Sequence, residues 1–160
     1  MHILRHYFIS LLLLSVVPIE AQAATVTVLY DDSFLLHDTG PGHPEKPDRL
    51  GYIVQHLKQH KTLGPSLRWP AFSAATREDL LSVHHASYLD LVEAEQQQLT
   101  PSHPYLTLTT GDTVISKNAI EVAKLASGAA MAGVDAVMRR TTSSAFALVR
   151  PHVIHATRER

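Results

Sequence analysis

The polar and apolar positions fall into short blocks whose period switches along the chain. Thr25 to Tyr30 alternates and is rich in β-branched residues, which predicts a first strand. Asp31 to Lys46 carries Gly40, Pro41, Gly42 and Pro44 and reads as a loop. Pro47 suits the first turn of a helix, and Leu50, Ile53, Val54 and Leu57 follow at helical spacing to about His60. Gly64-Pro65 ends that unit, and Leu67 to Phe72 is a candidate short strand weakened by Pro70.

Thr76 followed by Arg77, Glu78 and Asp79 has the form of an N-cap with an acidic first turn, opening a short helix from Glu78 to Val83. A second helix is predicted from Ser87 to Gln98, with Gln96 to Gln98 as its solvated end. Thr100 to Thr113 is a Pro- and Thr-rich loop. Ser116 to Arg140 is the strongest helical pattern, with Ile120, Ala123, Ser127, Ala130, Met131, Val134, Val137 and Met138 as its face. Gly128 and Gly133 each cost that helix about 1 kcal/mol against Ala, which close packing would offset. Ala145 to Val149 is short and apolar, as in a buried parallel strand. Strand, helices, strand is the order of an α/β domain with right-handed crossovers.

The first residues change this picture. Arg5 and His6 precede an apolar run from Phe8 to Ile19, and Ala21-Gln22-Ala23 is a small-x-small site. That three-part pattern predicts a signal peptide over residues 1–23, cleaved after Ala23, and a periplasmic or secreted location. The run is short for a bilayer and is broken by Pro18, so no membrane span is expected after cleavage.

The composition is that of a globular chain, 45% hydrophobic and 18% charged over 160 residues. With 14 basic and 15 acidic residues it lacks the basic surplus of a general nucleic-acid binder, and none is expected as a partner. It has no cysteine, which excludes disulfides, thiol nucleophiles and thiolate metal sites. Its 11 histidines leave His, Asp and Glu as the available metal ligands.

Three segments could carry chemistry. His37 to Leu50 follows the first strand, where open parallel sheets bind ligands. Arg49 opposes the dipole of the helix it begins, which calls for a specific partner; a proline-stiffened loop with ordinary surface charges is the plainer alternative. Asp112, in Gly111-Asp112-Thr113, is either a carboxylate leading the long helix or a hydrogen-bond acceptor at a pocket mouth. His152 and His155 follow the last strand, in the place of a general base or metal ligand, or incidentally.

Together these segments resemble the N-terminal part of the histone deacetylase superfamily, in its bacterial class II-like, acetylpolyamine amidohydrolase and acetoin-utilisation forms. The resemblance rests on Leu29-Tyr30-Asp31, His43-Pro44-Glu45-Lys46-Pro47-Asp48-Arg49-Leu50, Val83-His84, Gly111-Asp112-Thr113 and Ala145 to Pro151. It implies an arginase-like parallel sheet flanked by helices, incomplete here, with residues 24–160 forming a truncated N-terminal part. It also implies hydrolysis of acetyl-lysine or an acetylated amine by zinc-activated water. By the same resemblance Arg49 lines an inner channel, Asp112 meets substrate at the rim, and His155 is the general base. Ile154 stands where the family has the partner histidine. The family's zinc ligands, an Asp-x-His pair and a further Asp, have no match in these residues, nor does its catalytic Tyr. Zinc is expected for the family but not bound by this chain. The expectation is an inactive truncated form; a small periplasmic binding module reusing the fold is the alternative.

Overall fold

The computed structural model describes residues 25–151. The signal-peptide reading and His152, Ile154 and His155 lie outside them.

Three parallel strands form the sheet. β1 (Val26–Leu29) is central, with β2 (Leu67–Arg68) on one side and β5 (Ser144–Ala147) on the other. Val26 aligns with Leu67 and Ser144, and Leu29 with Ala147. The apolar stretch at 67–72 yields only two strand residues, since Pro70 has no N–H to donate. Paired residues share a face, so Thr27, Leu29, Ala145 and Ala147 look one way, and Val28 and Phe146 the other.

α1 (Pro47–Gln59) starts at the predicted proline and buries Leu50 and Val54; Ile53, also expected inward, is 41% exposed. The loop between β1 and α1 contains a 3-10 turn, Asp32–Leu36, that periodicity did not reveal. Asp31 caps it by accepting the Ser33 N–H at 2.8 Å, and the turn drives Phe34 into the core against Val28 and Leu29.

α2 (Arg77–Leu81) opens with a capping box: Thr76 Oγ1 accepts the Asp79 N–H at 3.1 Å, and Asp79 accepts the Thr76 N–H at 2.8 Å. α3 (Ala86–Gln96) ends earlier than expected, and its end is not simply solvated. Gln96 is half-buried, and its side-chain oxygen accepts the Ile120 N–H at 3.0 Å. It thereby caps α4 (Ala119–Met138), whose own N-cap, Asn118, makes no side-chain bond. Glu95, also buried, accepts the Thr109 N–H at 3.1 Å and the Thr109 hydroxyl. Those bonds hold a hairpin that begins within the loop expected at Thr100 to Thr113 and ends just beyond it: β3 (Leu106–Thr107) pairs antiparallel with β4 (Val114–Ile115). Leu108, Ile115 and Ala119 form a second small core beneath it.

The buried side of α4 differs from the predicted face. Ala119, Val122, Ala126, Ala129 and Gly133 are buried, whereas Met131, Val134, Val137 and Met138 are exposed. Small residues win because they let the helix axis come close to the sheet. A Cβ on Gly133 would lie 3.3 Å from Ala145 Cβ and 3.4 Å from Leu29 Cδ2. A Cβ on Gly128 would lie 2.0 Å from the Ser73 carbonyl oxygen, and beside it the Ala75 N–H donates to the Lys124 carbonyl at 2.9 Å. That backbone crossing returns the helix-propensity cost of Gly128. Among the described residues no helix is long and apolar enough to cross a membrane.

The two glycines should therefore respond differently to substitution. Gly128→Ala forces backbone apart and should cost about 2 kcal/mol or more in urea unfolding. Gly133→Ala needs a shift of only tenths of an ångström, and its gain in helix propensity of about 1 kcal/mol should leave it near neutral. Equal losses for the two variants would contradict the packing account.

Candidate active-site entrance

The carboxyl ends of β1 and β5 lead to adjacent segments, and a cavity of about 750 Å³ opens beside them. Its walls come from the loop after β1, the β3–β4 turn, α3 and the first half of α4.

The base is fixed by Arg150, which leaves the end of β5 and is only 3% exposed. Its guanidinium donates through Nε to a Glu45 carboxylate oxygen. The remaining nitrogens donate to the carbonyls of His37 at 2.9 Å, Glu45 at 3.1 Å and Phe34 at 3.4 Å. A buried cation needs this much compensation, because its hydration is lost. Glu45 also ion-pairs with Arg49, four residues on. This is the partner that the dipole argument required for Arg49. The Arg49 side chain remains 59% exposed and lines the cavity, while Arg150 takes the interior position.

Asp112 sits in the turn between β3 and β4, exposed, and also lines the cavity. The turn is shaped by Leu108 N–H to Thr113 O at 2.9 Å and Gly111 N–H to Leu108 O at 3.2 Å. Asp112 is thus a turn residue in the cavity lining, six positions before Asn118, the N-cap of α4. The two loops flanking the mouth are joined by Tyr105, whose hydroxyl donates to Asp38 Oδ2 at 2.7 Å. That bond and the Gly40 N–H hold the Asp38 carboxyl below its usual range. Gly40 has φ +85 and would place any Cβ 3.6 Å from the Tyr105 ring, so a left-handed residue without a side chain suits this contact.

Three histidines line the cavity: His37, His43 and His84. His43 Nδ1 accepts the Glu45 N–H at 3.1 Å. His37 is 2% exposed, and the Nδ1 atoms of His37 and His84 have no hydrogen-bond partner. Burial, and then repulsion from Arg150, push the His37 pKa down from 6.5 to about 4, so the imidazole is neutral near pH 7. The three rings do not converge: among the described residues no group of three or more His, Asp or Glu could hold a metal ion. The described residues thus offer no set of the three protein ligands that a catalytic zinc takes.

The match to a histone deacetylase domain model runs over residues 43–160. The chain belongs to the histone deacetylase domain family. A probable deacetylase of Archaeoglobus fulgidus is 28% identical over 131 residues, covering 81% of this chain and 34% of that protein. An uncharacterized protein of Synechocystis is 34% identical, covering 83% of this chain and 42% of its own length. The crystal structure of the HDA15 HD domain superposes with a TM-score of 0.67 at 27% identity, over 80% of this chain and 36% of that one. The chain thus spans between a third and about two fifths of the length of these three proteins.

Sequence reasoning placed Arg49 and Asp112, and the structure brings both to one cavity. Sequence reasoning assigns no role to Arg150, Glu45 or His37. The available signal was an acid four residues before Arg49 and an arginine closing a buried strand.

Two measurements test the buried network. Glu45→Ala leaves Arg150 buried without its carboxylate and should cost about 3–5 kcal/mol in denaturant unfolding. Arg49→Ala removes the half-exposed arm of the same pair and should cost under about 1 kcal/mol. Acid should act through His37. Its folded pKa lies below 6.5, so its neutral form gives full stability above pH 6.5, which is lost as pH falls toward 4. The loss should be on the order of 3 kcal/mol relative to His37→Gln. Around it, Glu45 and Asp38 oppose that shift, while Arg150 and His43 favour it. A variant with an unchanged acid profile over that window would contradict the assignment.

Proposed function

We propose that this chain is an extracytoplasmic deacetylase-family protein that supplies the substrate entrance for acetylated amines or acetyl-lysine and does not catalyse by itself. The reading is carried by the cavity at the carboxyl ends of β1 and β5, with Arg49 and Asp112 on its walls. A carboxylate at the mouth suits an amide N–H or a cationic amine, since hydrogen bonds to charged acceptors are the stronger kind. Arg49 is a fixed positive charge on the same wall, and Glu45 orients it. Inactivity is supported by the donor set, which offers no three-ligand group among the described residues, and by the lack of any Asp-x-His pair in the sequence. Zinc, where a family member holds it, would supply an activated water. His155 is proposed as the residue of this chain that would accept a proton from the attacking water. The pattern over residues 1–23 supports export to the periplasm or secretion. Among the relatives, one zebrafish protein is named a polyamine deacetylase, 30% identical over 114 residues and covering 17% of its length. It favours keeping acetylated polyamines beside acetyl-lysine among the candidate ligands.

The test uses the secreted form of the chain, with zinc added. Equilibrium dialysis should show no zinc retained at micromolar concentration, and an acetyl-lysine reporter should show no turnover. Calorimetry with an acetylated polyamine should show weak binding that falls about tenfold in Asp112→Asn, the loss of one charged hydrogen bond worth about 1.5 kcal/mol. Turnover with bound zinc would overturn the claim of inactivity. Binding indifferent to Asp112 would overturn the entrance, and tight binding of an unacetylated ligand would favour a binding module.

A further inference from the structure

The β3–β4 hairpin carries Asp112 in its turn, yet each of its strands is only two residues long. Two strands that short have little stability of their own, so what holds the hairpin decides where Asp112 stands. On one side the holder is α3, through the bonds from Thr109 to Glu95. On the other side it is Asp38, in the loop after β1. Leu106 pairs with Ile115, and continuing that register sets Tyr105 across from Ser116 at the open end of the hairpin. Asp38 bonds to both. Its Oδ2 accepts the Tyr105 hydroxyl at 2.7 Å, and its N–H donates to Ser116 Oγ at 3.3 Å.

Asp38 is itself held. Its Oδ1 accepts the Gly40 N–H at 2.9 Å. Its neighbours are tied inward, because the His37 carbonyl accepts from Arg150 at 2.9 Å and Thr39 Oγ1 donates to the Glu45 carbonyl at 2.6 Å. The Tyr105 ring lies against Gly40, with three ring atoms within 3.8 Å of where a Cβ would stand. The Tyr105 hydroxyl, and then the Gly40 N–H, hold the Asp38 carboxyl below its usual range, so it is an ionised acceptor at neutral pH. A bond to such an acceptor is stronger than one between neutral groups. His37 and Thr39, on either side of Asp38, are among the described residues that line the cavity, whereas Asp38 and Tyr105 are not. The pair stands behind the wall.

We propose that Asp38 and Tyr105 are a positioning pair: they seat the base of the hairpin on the loop after β1 and thereby fix Asp112 relative to Arg49. The proposal rests on the function given above, in which Asp112 meets the amide or ammonium of an acetylated amine. A carboxylate that is in place before the ligand arrives loses less freedom on binding, so the pair raises affinity without touching the ligand. Both cavity residues then share one frame. Arg49 is held through Glu45 to Arg150, and Asp38 follows the residue whose carbonyl Arg150 binds. An ordinary surface hydrogen bond would join two residues; here one aspartate gathers both ends of a hairpin, 67 and 78 residues along the chain.

The experiment uses the secreted form of the chain, with N-acetylcadaverine, an acetylated diamine, as probe. Tyr105→Phe keeps the ring on Gly40 and loses only the hydroxyl; Asp38→Asn keeps an acceptor oxygen and loses the charge. In hydrogen exchange read by NMR, the Leu108 and Thr109 amides should exchange about tenfold faster in Tyr105→Phe and less so in Asp38→Asn, with the amides of α4 unchanged. In calorimetry, Tyr105→Phe should weaken probe binding about threefold to tenfold, and by less than about twofold when Asp112→Asn is already present. Exchange unchanged in both variants would overturn the proposal. A rise spread evenly over α4 and the sheet would do so as well, since it marks a loss of overall stability. Losses that add in the double variant would also overturn it, because Tyr105 would then act apart from Asp112. A wild-type chain that does not bind N-acetylcadaverine would count against the function alone; exchange at Leu108 and Thr109 would still decide whether the pair holds the hairpin.

Discussion

A single buried guanidinium organises the ends of this fold. Arg150 closes the last described strand and reaches a carboxylate 105 residues earlier in the chain. Its carbonyl acceptors, on Phe34, His37 and Glu45, all belong to the loop between β1 and α1. Without that bond set the loop would be a long, glycine-containing segment with little reason to hold one shape. With it, the loop becomes a rigid wall, and Thr39 Oγ1, donating to the Glu45 carbonyl at 2.6 Å, fastens its middle. Desolvating an arginine is costly, so every partner is needed; this is why removing one side of the pair should hurt far more than removing the exposed Arg49. Glu45 serves both cations at once. It settles the interior charge of Arg150 and screens the poor placement of Arg49 at a helix start.

The same network bears on the chemistry of the cavity. A fixed positive charge beneath His37 makes protonation of that imidazole doubly unfavourable, on top of its burial. A neutral ring with an unpaired Nδ1 is a hydrogen-bonding group and not a charged one. Asp112 and Arg49 are among the charged groups of the cavity lining, and the histidine adds shape and one polar atom.

How far the sequence could be read depended on the range of each cause. α1 was legible because its start signal, Pro47, and its apolar spacing are local. The α2 cap was legible for the same reason, and Gly128 was rightly suspected of permitting close approach. The inward face of α4 was misjudged because hydropathy rewards Met and Val, whereas contact distance rewards Ala and Gly. The β3–β4 hairpin was missed because its stabilising acid, Glu95, lies on a preceding helix. Gln96 looked like a solvated end for a matching reason: its acceptor role toward Ile120 is visible only once two helices meet. At the site, nothing local to Arg49 or Asp112 shows that they line one cavity, and nothing local to Arg150 shows that it is the buried arginine. Nothing local distinguishes an arginine that points outward from one buried against a distant glutamate.

These two features, a completed interior and an uncovered flank, have one physical origin. Choosing small residues on α4 brings the helix down onto β1 and β5, and it leaves the larger apolar side chains no room beneath it. They are displaced to the exposed flank of the helix. A helix with Leu or Met inward would stand higher off the sheet, bury its own apolar stripe, and lose the contact between Gly128 and the 73–75 backbone. Close packing on one side thus creates the unpartnered surface on the other. The entrance loops are held independently of that surface, through Arg150, Glu45 and the Tyr105–Asp38 bond. The loops around the cavity can therefore keep their shape whatever happens at the flank.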